Sequence, residues 1–149
     1  MKRNAEIELL EVDTIDTEEH YRLYETYISE RHRDGDMYPA SIEQFRGFLT
    51  KEWDISHYFE LRLNGALAGV FVSDQLTDAL SAVYTYFDPA LASRSLGTLA
   101  ILLQIERAKK MNLRHLYLGY WIKNSPKMNY KYHFRPLELL LPQGWTLLN

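Results

Sequence analysis

The sequence contains no cysteine. It therefore has no disulfide framework, no thiolate nucleophile and no zinc or iron–sulfur site held by thiolates. It also has no run of apolar residues near the roughly 18 that a membrane-spanning helix requires. Its first six residues lack the apolar core of a secretory signal. From these absences we expect a cytoplasmic protein without a membrane partner.

The remaining composition is that of an ordinary globular protein. Apolar residues make up 46% of the chain and charged residues 25%, which excludes a largely disordered chain. A length of 149 residues is enough for one compact domain with a single core. We therefore expect a single domain over residues 1–149.

The small net charge of −3 hides a strong asymmetry along the chain. Residues 1–36 contain eleven carboxylates against five cations, whereas residues 107–137 contain eight cations and no carboxylate. Such a basic stretch attracts phosphate or carboxylate partners through its summed field. Aromatic residues, at 13% of the chain, suit single-stranded nucleic acid when they are interleaved with cations. The alternative is a solvated helix face whose acidic partners come from elsewhere in the fold.

Local signals predict the elements of the first half of the chain. Asp16 and Glu19 have capping-box spacing, which predicts a helix that begins near Asp16–Thr17 and ends near residues 31–34. Ser41 has the same spacing to Gln44 and predicts a second helix. Alternating apolar residues and the Asn64-Gly65 pair predict three strands in a meander, with a hairpin turn between the first two. These strands are expected at His57–Leu63, Ala66–Asp74 and Ala79–Phe87.

The second half predicts a buried helix followed by shorter elements. Arg94-Ser95-Leu96-Gly97 opens a helix with a broad apolar face that runs to about Met111. Ser125-Pro126 has the form of an N-cap followed by proline at the first helical position. The elements expected after the buried helix are a strand at His115–Tyr120, a short helix at Lys127–Tyr132 and a strand at Leu137–Leu141. The order of all these elements is that of an acyltransferase-like α/β layout.

Three clusters are candidates for binding an anion. The helix start at Arg94-Ser95-Leu96-Gly97 presents backbone N–H groups, although a single glycine argues against pyrophosphate and a capped buried helix is the alternative. Lys127 and Lys131 would lie four apart on one helical face, with Arg135 beyond them. Like charges at that spacing cost stability unless an anion bridges them; the alternative is a solvated face. Arg31 and His32 form the third cluster, for which helix capping is the alternative.

The histidines and tyrosines give weaker signals. The histidines lack metal-ligand spacing and suggest no catalytic dyad, so no metal is expected. Tyr84, Tyr86 and Tyr120 lie near the centres or ends of predicted strands, where a tyrosine usually packs and donates a hydrogen bond. Taken singly, each is therefore expected to belong to the core.

Four segments match one family pattern in order and spacing. They are Ser81-Ala82-Val83-Tyr84-Thr85-Tyr86-Phe87-Asp88-Pro89, Arg94-Ser95-Leu96-Gly97, Tyr117-Leu118-Gly119-Tyr120-Trp121-Ile122 and Lys127-Met128-Asn129-Tyr130-Lys131. The chain resembles the C-terminal domain of the aminoacyl-tRNA–protein transferases, the arginyltransferase family of the N-degron pathway. Arg31-His32 with Asp34-Gly35-Asp36-Met37 resembles the bacterial branch, the aspartate/glutamate leucyltransferases. Members of the family carry a preceding Cys-containing domain, which we expect to be absent here.

The resemblance implies a GNAT-like α/β (α+β) fold, with a central, mostly antiparallel sheet flanked by helices. It implies transfer of leucine from leucyl-tRNA to the α-amino group of proteins that begin with Asp or Glu. Leucyl-tRNA would be the co-substrate, and no separate cofactor is expected. The partners would be the 3′ end of the aminoacyl-tRNA and proteins or peptides with an acidic N-terminal residue.

We assign candidate substrate-binding residues on this basis and leave the catalytic residues unassigned. A cation must meet the acceptor carboxylate and the tRNA phosphates, and those two tasks are not divided among the candidates. The anion-binding candidates are Arg31, His32, Lys127, Lys131 and Arg135. The candidates for holding the substrate ammonium are Asp36 and Asp74. The candidates for lining the aminoacyl pocket are Tyr84, Tyr86 and Tyr120, with Arg94, Ser95 and Gly97 near the donor.

Three other functions stay open. The first is transfer from arginyl-tRNA. The second is a reader that binds acidic N-termini without transferring anything to them. The third is a CoA-dependent N-acyltransferase, against which the single glycine of residues 94–97 argues.

Overall fold

The computed structural model describes residues 2–50 and 54–148, which fall into two compact units, residues 1–117 and residues 118–149. The expectation of one domain stays a prediction, and each unit is described by itself. The helices of the first unit are α1 (Glu18–Arg31), α2 (Ile42–Leu49) and α3 (Leu96–Lys110). Its strands are β1 (Ile7–Val12), β2 (Ser56–Leu63), β3 (Ala66–Gln75), β4 (Ala79–Phe87) and β5 (His115–Tyr117). No helix in the described ranges is long and apolar enough to cross a membrane.

The five strands form one sheet in the order β1-β2-β3-β4-β5. The first four strands are antiparallel neighbours, and β5 joins the edge of β4 in parallel. The predicted meander is therefore confirmed, with one strand added on each side. The hairpin turn is also confirmed, because Asn64 and Gly65 have φ angles of 52° and 82°, the positive values of a type I′ turn.

Helices α1 and α3 cover opposite faces of this sheet. Glu60 of β2 contacts His20 of α1, while the adjacent Phe59 lies under the Arg107 guanidinium of α3, 4.9 Å from the ring centroid. Adjacent residues of a strand point to opposite faces, so the two helices lie on the two sides. On the α1 face the core is aromatic: Tyr24 packs 5.1 Å from Phe45 and 5.6 Å from Tyr86, between ring centroids.

The capping residue predicted for α2 is confirmed, and the one predicted for α1 is not. The Ser41 side chain accepts a hydrogen bond from the Gln44 N–H and caps α2 as predicted. For α1 the predicted cap was wrong by one residue, because Thr17 rather than Asp16 accepts from the His20 N–H. Asp16 instead forms an ion pair with Arg46 of α2. Phe48 of α2 is about half exposed.

A buried ionic network joins α1 to the sheet. His20 and Glu60 are 4% and 5% exposed, and the His20 Nε2 lies 2.8 Å from the Glu60 Oε1. The Arg62 Nε donates to the other carboxylate oxygen at 2.6 Å, and Arg62 also pairs with Glu19. Across the His20 ring, the Nδ1 lies 2.6 Å from the Thr17 hydroxyl. The hydrogen bond from Arg62 holds the pKa of the Glu60 carboxyl below its usual range, although burial acts in the opposite direction.

The second unit contains a hairpin and little other regular structure. Its strands β6 (Leu137–Leu141) and β7 (Gly144–Leu148) are antiparallel and pair Leu137 with Leu148. Strand β6 was predicted and β7 was not. A two-stranded sheet of this kind contributes little stability alone.

Two predictions for residues 115–132 were wrong. The predicted helix at Lys127–Tyr132 is absent; a 3₁₀ helix spans Asn129–His133, and Ser125 caps no helix. A segment this short is marginal as an α-helix in water unless tertiary packing supports it. The predicted strand ends at Tyr117 rather than Tyr120. Gly119 has a φ of +73°, a left-handed conformation that interrupts an extended chain.

Replacing Glu60 tests the buried network. Glu60→Gln removes a buried charge that pairs with the buried His20 and the partly exposed Arg62, so we expect the free energy of unfolding to fall by about 3 kcal/mol in urea denaturation. Because the pKa of Glu60 is lowered in the folded protein, its contribution is complete above the ordinary glutamate pKa of about 4.3 and disappears as the pH falls through the folded value. The difference in the free energy of unfolding between wild type and variant should therefore shrink as the pH falls below the ordinary glutamate pKa of about 4.3.

The control is Glu18→Gln, which removes the partner of Arg22 on the surface of α1. Both side chains of that pair are about three-quarters exposed, so we expect a loss of at most about 0.5 kcal/mol. Equal losses for the two variants would contradict a stabilising role for the buried network.

Candidate functional site

The edge of β4 is irregular near its carboxyl end. Strand β5 pairs with β4 only over Ala79–Ser81, so residues 82–87 have no neighbour on that edge in the described part of the chain. On the other edge, the β3 partners of Tyr84 and Ala82 are consecutive, which leaves Val83 as an extra residue in a β-bulge. Bulges are over-represented beside active sites, where they redirect side chains. The end of β4 thus offers unpaired backbone groups for a ligand.

Phe87, the last residue of β4, is the point where three elements meet. The Arg31 guanidinium at the end of α1 lies over its ring, 5.2 Å from the centroid. Tyr27 of α1 packs 5.1 Å away, between ring centroids. Gly97 in the first turn of α3 is close enough that an added Cβ would lie 3.5 Å from the Phe87 Cε1. Gly97 therefore faces this ring and marks the contact between α3 and β4.

Arg31 and His32 are the candidates that the structure brings together most closely around Phe87. The His32 N–H caps α1 by donating to the Ile28 carbonyl at 2.9 Å, and its ring lies 5.0 Å from that of Tyr27. Arg31 is exposed at the same helix end, where a cation is favoured by the helix dipole. Arg31 and His32 therefore place two cationizable groups beside the carboxyl end of β4.

The two β4 tyrosines differ in their access to a ligand. Tyr84 is half-buried, lies 5.7 Å from the Phe48 ring, and donates from its hydroxyl to the Met37 sulfur at 3.6 Å. Tyr86 is 0% exposed, and burial raises the pKa of its hydroxyl above the usual tyrosine value. Tyr84 is therefore in position to touch a ligand, whereas Tyr86 supports it from the core.

The two aspartate candidates lie in different places. Asp74 accepts a hydrogen bond from the Ser56 hydroxyl at 2.7 Å and pairs in register with Ser81. Six residues of strand separate Ser81 from Phe87, a distance of about 20 Å, so Asp74 is not brought to the β4 end. Asp36 is exposed in the turn after α1, next to Met37.

The start of α3 is fastened to the N-terminal segment. Arg94 donates to the Arg3 carbonyl at 3.2 Å and pairs with Glu6 at 3.1 Å. Asn4 donates to the Arg94 carbonyl at 3.0 Å. Ser95 has a φ of 54° and a ψ of 48°, and its side chain makes no capping hydrogen bond to α3. A surface cavity of about 450 Å³ lies here, lined by Arg3, Asn4, Arg94, Ser95, Thr98, Leu99 and Leu102.

In the second unit, Lys131 and Arg135 are held by backbone carbonyls. The Lys131 Nζ donates to the Tyr120 carbonyl at 2.8 Å, and burial lowers the pKa of this lysine. Arg135 donates to the Phe134 carbonyl at 2.7 Å, and its guanidinium lies 4.8 Å from the centroid of the Tyr132 ring. Lys127 is exposed and lies outside the 3₁₀ helix, so the argument from two lysines on one helical face was wrong.

Two cations of the basic stretch that lie on α3 are paired with acidic residues, as expected for a solvated helix face. Arg107 pairs with Glu11 of β1 at 3.2 Å, and Lys109 pairs with Glu106 at 3.1 Å. These acidic partners come from outside residues 107–137. The basic stretch is therefore not one uniform anion-binding surface.

Sequence reasoning missed Phe87 and Met37 as members of the site. Their roles depend on contacts between α1, β4 and the loop after α1, and only the position of Phe87 before the strand-ending Asp88-Pro89 gave a local signal. It also missed His20 and Glu60, which are 40 residues apart in the chain. No group of three or more potential metal-ligating His, Asp or Glu side chains occurs within residues 2–50 and 54–148.

Comparison with known sequences agrees with the family resemblance found in the sequence. The family model described as "Arginine-tRNA-protein transferase, C terminus" matches residues 19–141. The "Aspartate/glutamate leucyltransferase" of Pseudomonas fluorescens strain Pf0-1 is 49% identical over 99% of this chain and 63% of its own length. The protein of that name from Teredinibacter turnerae is 51% identical over 98% of this chain and 60% of its own length. The chain spans less than two thirds of these curated relatives.

Comparison with solved structures establishes the fold. The Escherichia coli ribosomal-protein-S18-alanine N-acetyltransferase aligns with a TM-score of 0.63 at 17% identity, over 85% of this chain and 75% of its own. A Staphylococcus aureus acetyltransferase of the GNAT family aligns with a TM-score of 0.60 at 14% identity, over 96% and 92%. The prediction of a GNAT-like fold is confirmed.

Replacing Ser95 tests the backbone at the start of α3. Ser95→Gly relieves the cost of a left-handed conformation, so we expect the free energy of unfolding to rise by about 0.5–1 kcal/mol in urea denaturation. The control is Ser93→Gly in the preceding 3₁₀ helix (Pro89–Arg94). There glycine should lower the free energy of unfolding by a similar amount. A loss of stability in Ser95→Gly would show that the Ser95 side chain, and not its backbone, holds this junction.

Proposed function

The chain belongs to the arginine-tRNA-protein transferase family, and on that premise we propose that it transfers leucine from leucyl-tRNA to the α-amino group of proteins that begin with Asp or Glu. The observation that carries this proposal is the identity of about one half, over almost the whole chain, with relatives named aspartate/glutamate leucyltransferase. Leucyl-tRNA is the co-substrate and no separate cofactor takes part. We place the reaction in the cytoplasm, as a step that marks proteins for N-degron degradation.

The acceptor has a carboxylate side chain, and Arg31 is the group best suited to meet it. A guanidinium binds a carboxylate with two parallel hydrogen bonds, which an ammonium cannot do. Its contact with the Phe87 ring leaves it exposed while limiting its position. His32 adds a second cationizable group, and Asp36, in the following turn, is the candidate for the α-ammonium.

The reaction needs little acid–base assistance. The α-amine has an ordinary pKa of about 7.7–8.0, so part of it is neutral and nucleophilic at cellular pH. Its nitrogen attacks the ester carbonyl of leucyl-tRNA, the amide bond forms, and the ribose hydroxyl leaves with the proton that the amine gives up. Unpaired backbone N–H groups on the β4 edge can polarise the ester carbonyl. Most of the catalysis is therefore positioning.

The donor side of the site combines an apolar surface with the start of α3. Tyr84, with Phe48 and Met37 beside it, offers a half-buried apolar surface that suits a leucyl side chain. Gly97 keeps the first turn of α3 close to Phe87 and to the β4 end. Arg94 and Ser95 line the adjoining cavity and are candidates for contacts with the ribose and phosphate of the donor.

The direct test is a transfer assay with the full chain. It uses radiolabelled leucyl-tRNA or arginyl-tRNA and peptides that begin with Asp, Glu or Ala. We expect label on the Asp and Glu peptides from leucyl-tRNA alone. Label from arginyl-tRNA would reassign the donor. Binding of acidic peptides without label from either tRNA would replace the transferase by a reader, and a thermal shift with acetyl-CoA but not with tRNA would favour a CoA enzyme.

Replacing Arg31 tests the acceptor site. We expect Arg31→Ala to raise the KM for a peptide that begins with Asp by about tenfold to a hundredfold, because a charge-assisted hydrogen bond is worth about 1.5–3 kcal/mol. Arg31→Lys should recover part of this loss. The KM for leucyl-tRNA should not change.

The matched control is Arg33→Ala, two residues away. The Arg33 Nε donates back to the Ser29 carbonyl at 2.6 Å, so its side chain is directed along α1. The Arg33 variant should keep the wild-type KM. An equal rise in both variants would mean that the acceptor responds to the general field of this helix end and has no specific contact with Arg31.

A further inference from the structure

The second unit has a charge opposite to that of the first. Residues 118–149 contain four of the seventeen Lys and Arg residues of the chain but only one of its twenty Asp and Glu residues, Glu138. A short segment with this excess carries a positive field that attracts polyanions. A positive field attracts an RNA and an acidic protein alike. The class of ligand must therefore be inferred from the arrangement of the side chains.

Three planar groups of this unit are stacked. The Trp121 and Tyr132 rings lie 5.5 Å apart between centroids, with planes inclined by 23°. The Arg135 guanidinium lies 4.8 Å from the centroid of the Tyr132 ring. Tyr132 remains 41% exposed, and Arg135 is exposed as well. We refer to Trp121, Tyr132 and Arg135 as the stacking platform.

Hydrogen bonds to the backbone fix the platform and its surroundings. Arg135 donates to the carbonyls of Tyr132 and Phe134, which holds the guanidinium plane in place. The Lys131 Nζ donates to the carbonyl of Tyr120, next to Trp121, and so ties residues 120–121 to the 3₁₀ helix. The Tyr120 ring itself is 89% exposed. A large aromatic ring left in water beside a fixed stack is available to a further planar ligand.

This combination favours single-stranded RNA over an acidic peptide. Aromatic rings and arginine planes stack on unpaired bases of any sequence, while nearby cations follow the phosphates. A single Asp or Glu side chain would use one cation and none of the rings. Among the described residues neither Lys131 nor Arg135 forms an ion pair with a carboxylate, and hydrogen bonds to carbonyl groups do not neutralise their charges, which suits a chain of phosphates.

We propose that the stacking platform binds the unpaired nucleotides at the 3′ end of the tRNA donor, with Tyr120 stacking on a further base. This inference rests on the proposed function for the identity of the donor. It separates the candidate cations: Lys131 and Arg135 serve the RNA and not the acceptor carboxylate. Trp121 and Tyr132 become binding residues that the family resemblance did not assign.

The test measures the Kd of the full chain for labelled, uncharged leucine tRNA, intact or with its unpaired 3′ nucleotides removed. We expect Tyr132→Ala to weaken binding of the intact tRNA by about 5- to 100-fold, because it removes the layer that holds the Trp121 and Arg135 planes together as a stacking surface, and to leave binding of the trimmed tRNA unchanged. Tyr132→Phe keeps the ring and should bind as wild type does. Arg135→Lys keeps the charge but loses the plane, so it should weaken binding of the intact tRNA only.

The matched control is Trp145→Ala, which removes an exposed aromatic ring from β7 in the same unit. It should not change the Kd of either tRNA. An equal loss of affinity for intact and trimmed tRNA in Tyr132→Ala would overturn the platform, because it would indicate damage to the unit as a whole. If Tyr132→Ala changed only the KM for the acidic peptide, the proposal would be wrong and the stacking platform would belong to the acceptor site.

The transfer assay separates this inference from the proposed function. If wild type transfers leucine and Tyr132→Ala binds intact tRNA with an unchanged Kd, the platform fails and the proposed function stands. If wild type neither binds tRNA nor transfers leucine, both fail together.

Discussion

The candidate acceptor site depends on how α1 is fixed to the sheet. At its first turn the helix is held by the buried pair of His20 with Glu60, and at its last turn Arg31 rests on Phe87. Eleven residues of α1 (Glu18–Arg31) separate His20 from Arg31, which corresponds to about 17 Å of rigid helix. A buried carboxylate on β2 therefore determines where a surface guanidinium stands, although the two groups never touch. His20 and Arg62 each pair with one carboxylate oxygen of Glu60. Removing either of them would therefore leave part of a buried charge unpaired.

The β4 end is the place where regular structure is interrupted several times. Val83 bulges, β5 stops after three residues, and Ser95 takes a left-handed conformation before α3 begins. Each irregularity has a cost, and each leaves backbone groups or side chains directed away from the sheet ladder. The rest of the first unit, with its regular antiparallel strands and aromatic core, supplies the stability that supports them. This division between a rigid scaffold and an irregular rim is what a ligand site on a sheet edge requires.

Sequence reasoning succeeded where the signal was local and failed where it was not. The Ser41 cap, the Asn64-Gly65 turn and the strands of the meander follow from residues that lie next to each other in the chain, and all were predicted. The ion pairs of Glu60 with His20, of Arg94 with Glu6 and of Arg107 with Glu11 join residues 40 to 96 positions apart, which no local pattern encodes. The helix expected at residues 127–132 failed for a different reason: a capping signal was present, but six residues are too few for an α-helix that is stable without tertiary packing.

The way each cation is satisfied explains why a basic stretch in a sequence can be misleading. Within residues 2–50 and 54–117, six Lys and Arg side chains form ion pairs with carboxylates, so most of the field of these six is cancelled near its source. In the second unit, Lys131 and Arg135 donate to carbonyl groups, which satisfy the hydrogen-bond donors and fix the side chains without neutralising the charge. A charge that is positioned but not compensated loses little entropy when an anion binds and gains the full interaction with it. The two halves of residues 107–137 have similar composition, yet Arg107 and Lys109 are paired with carboxylates, whereas Lys131 and Arg135 are held by backbone carbonyls.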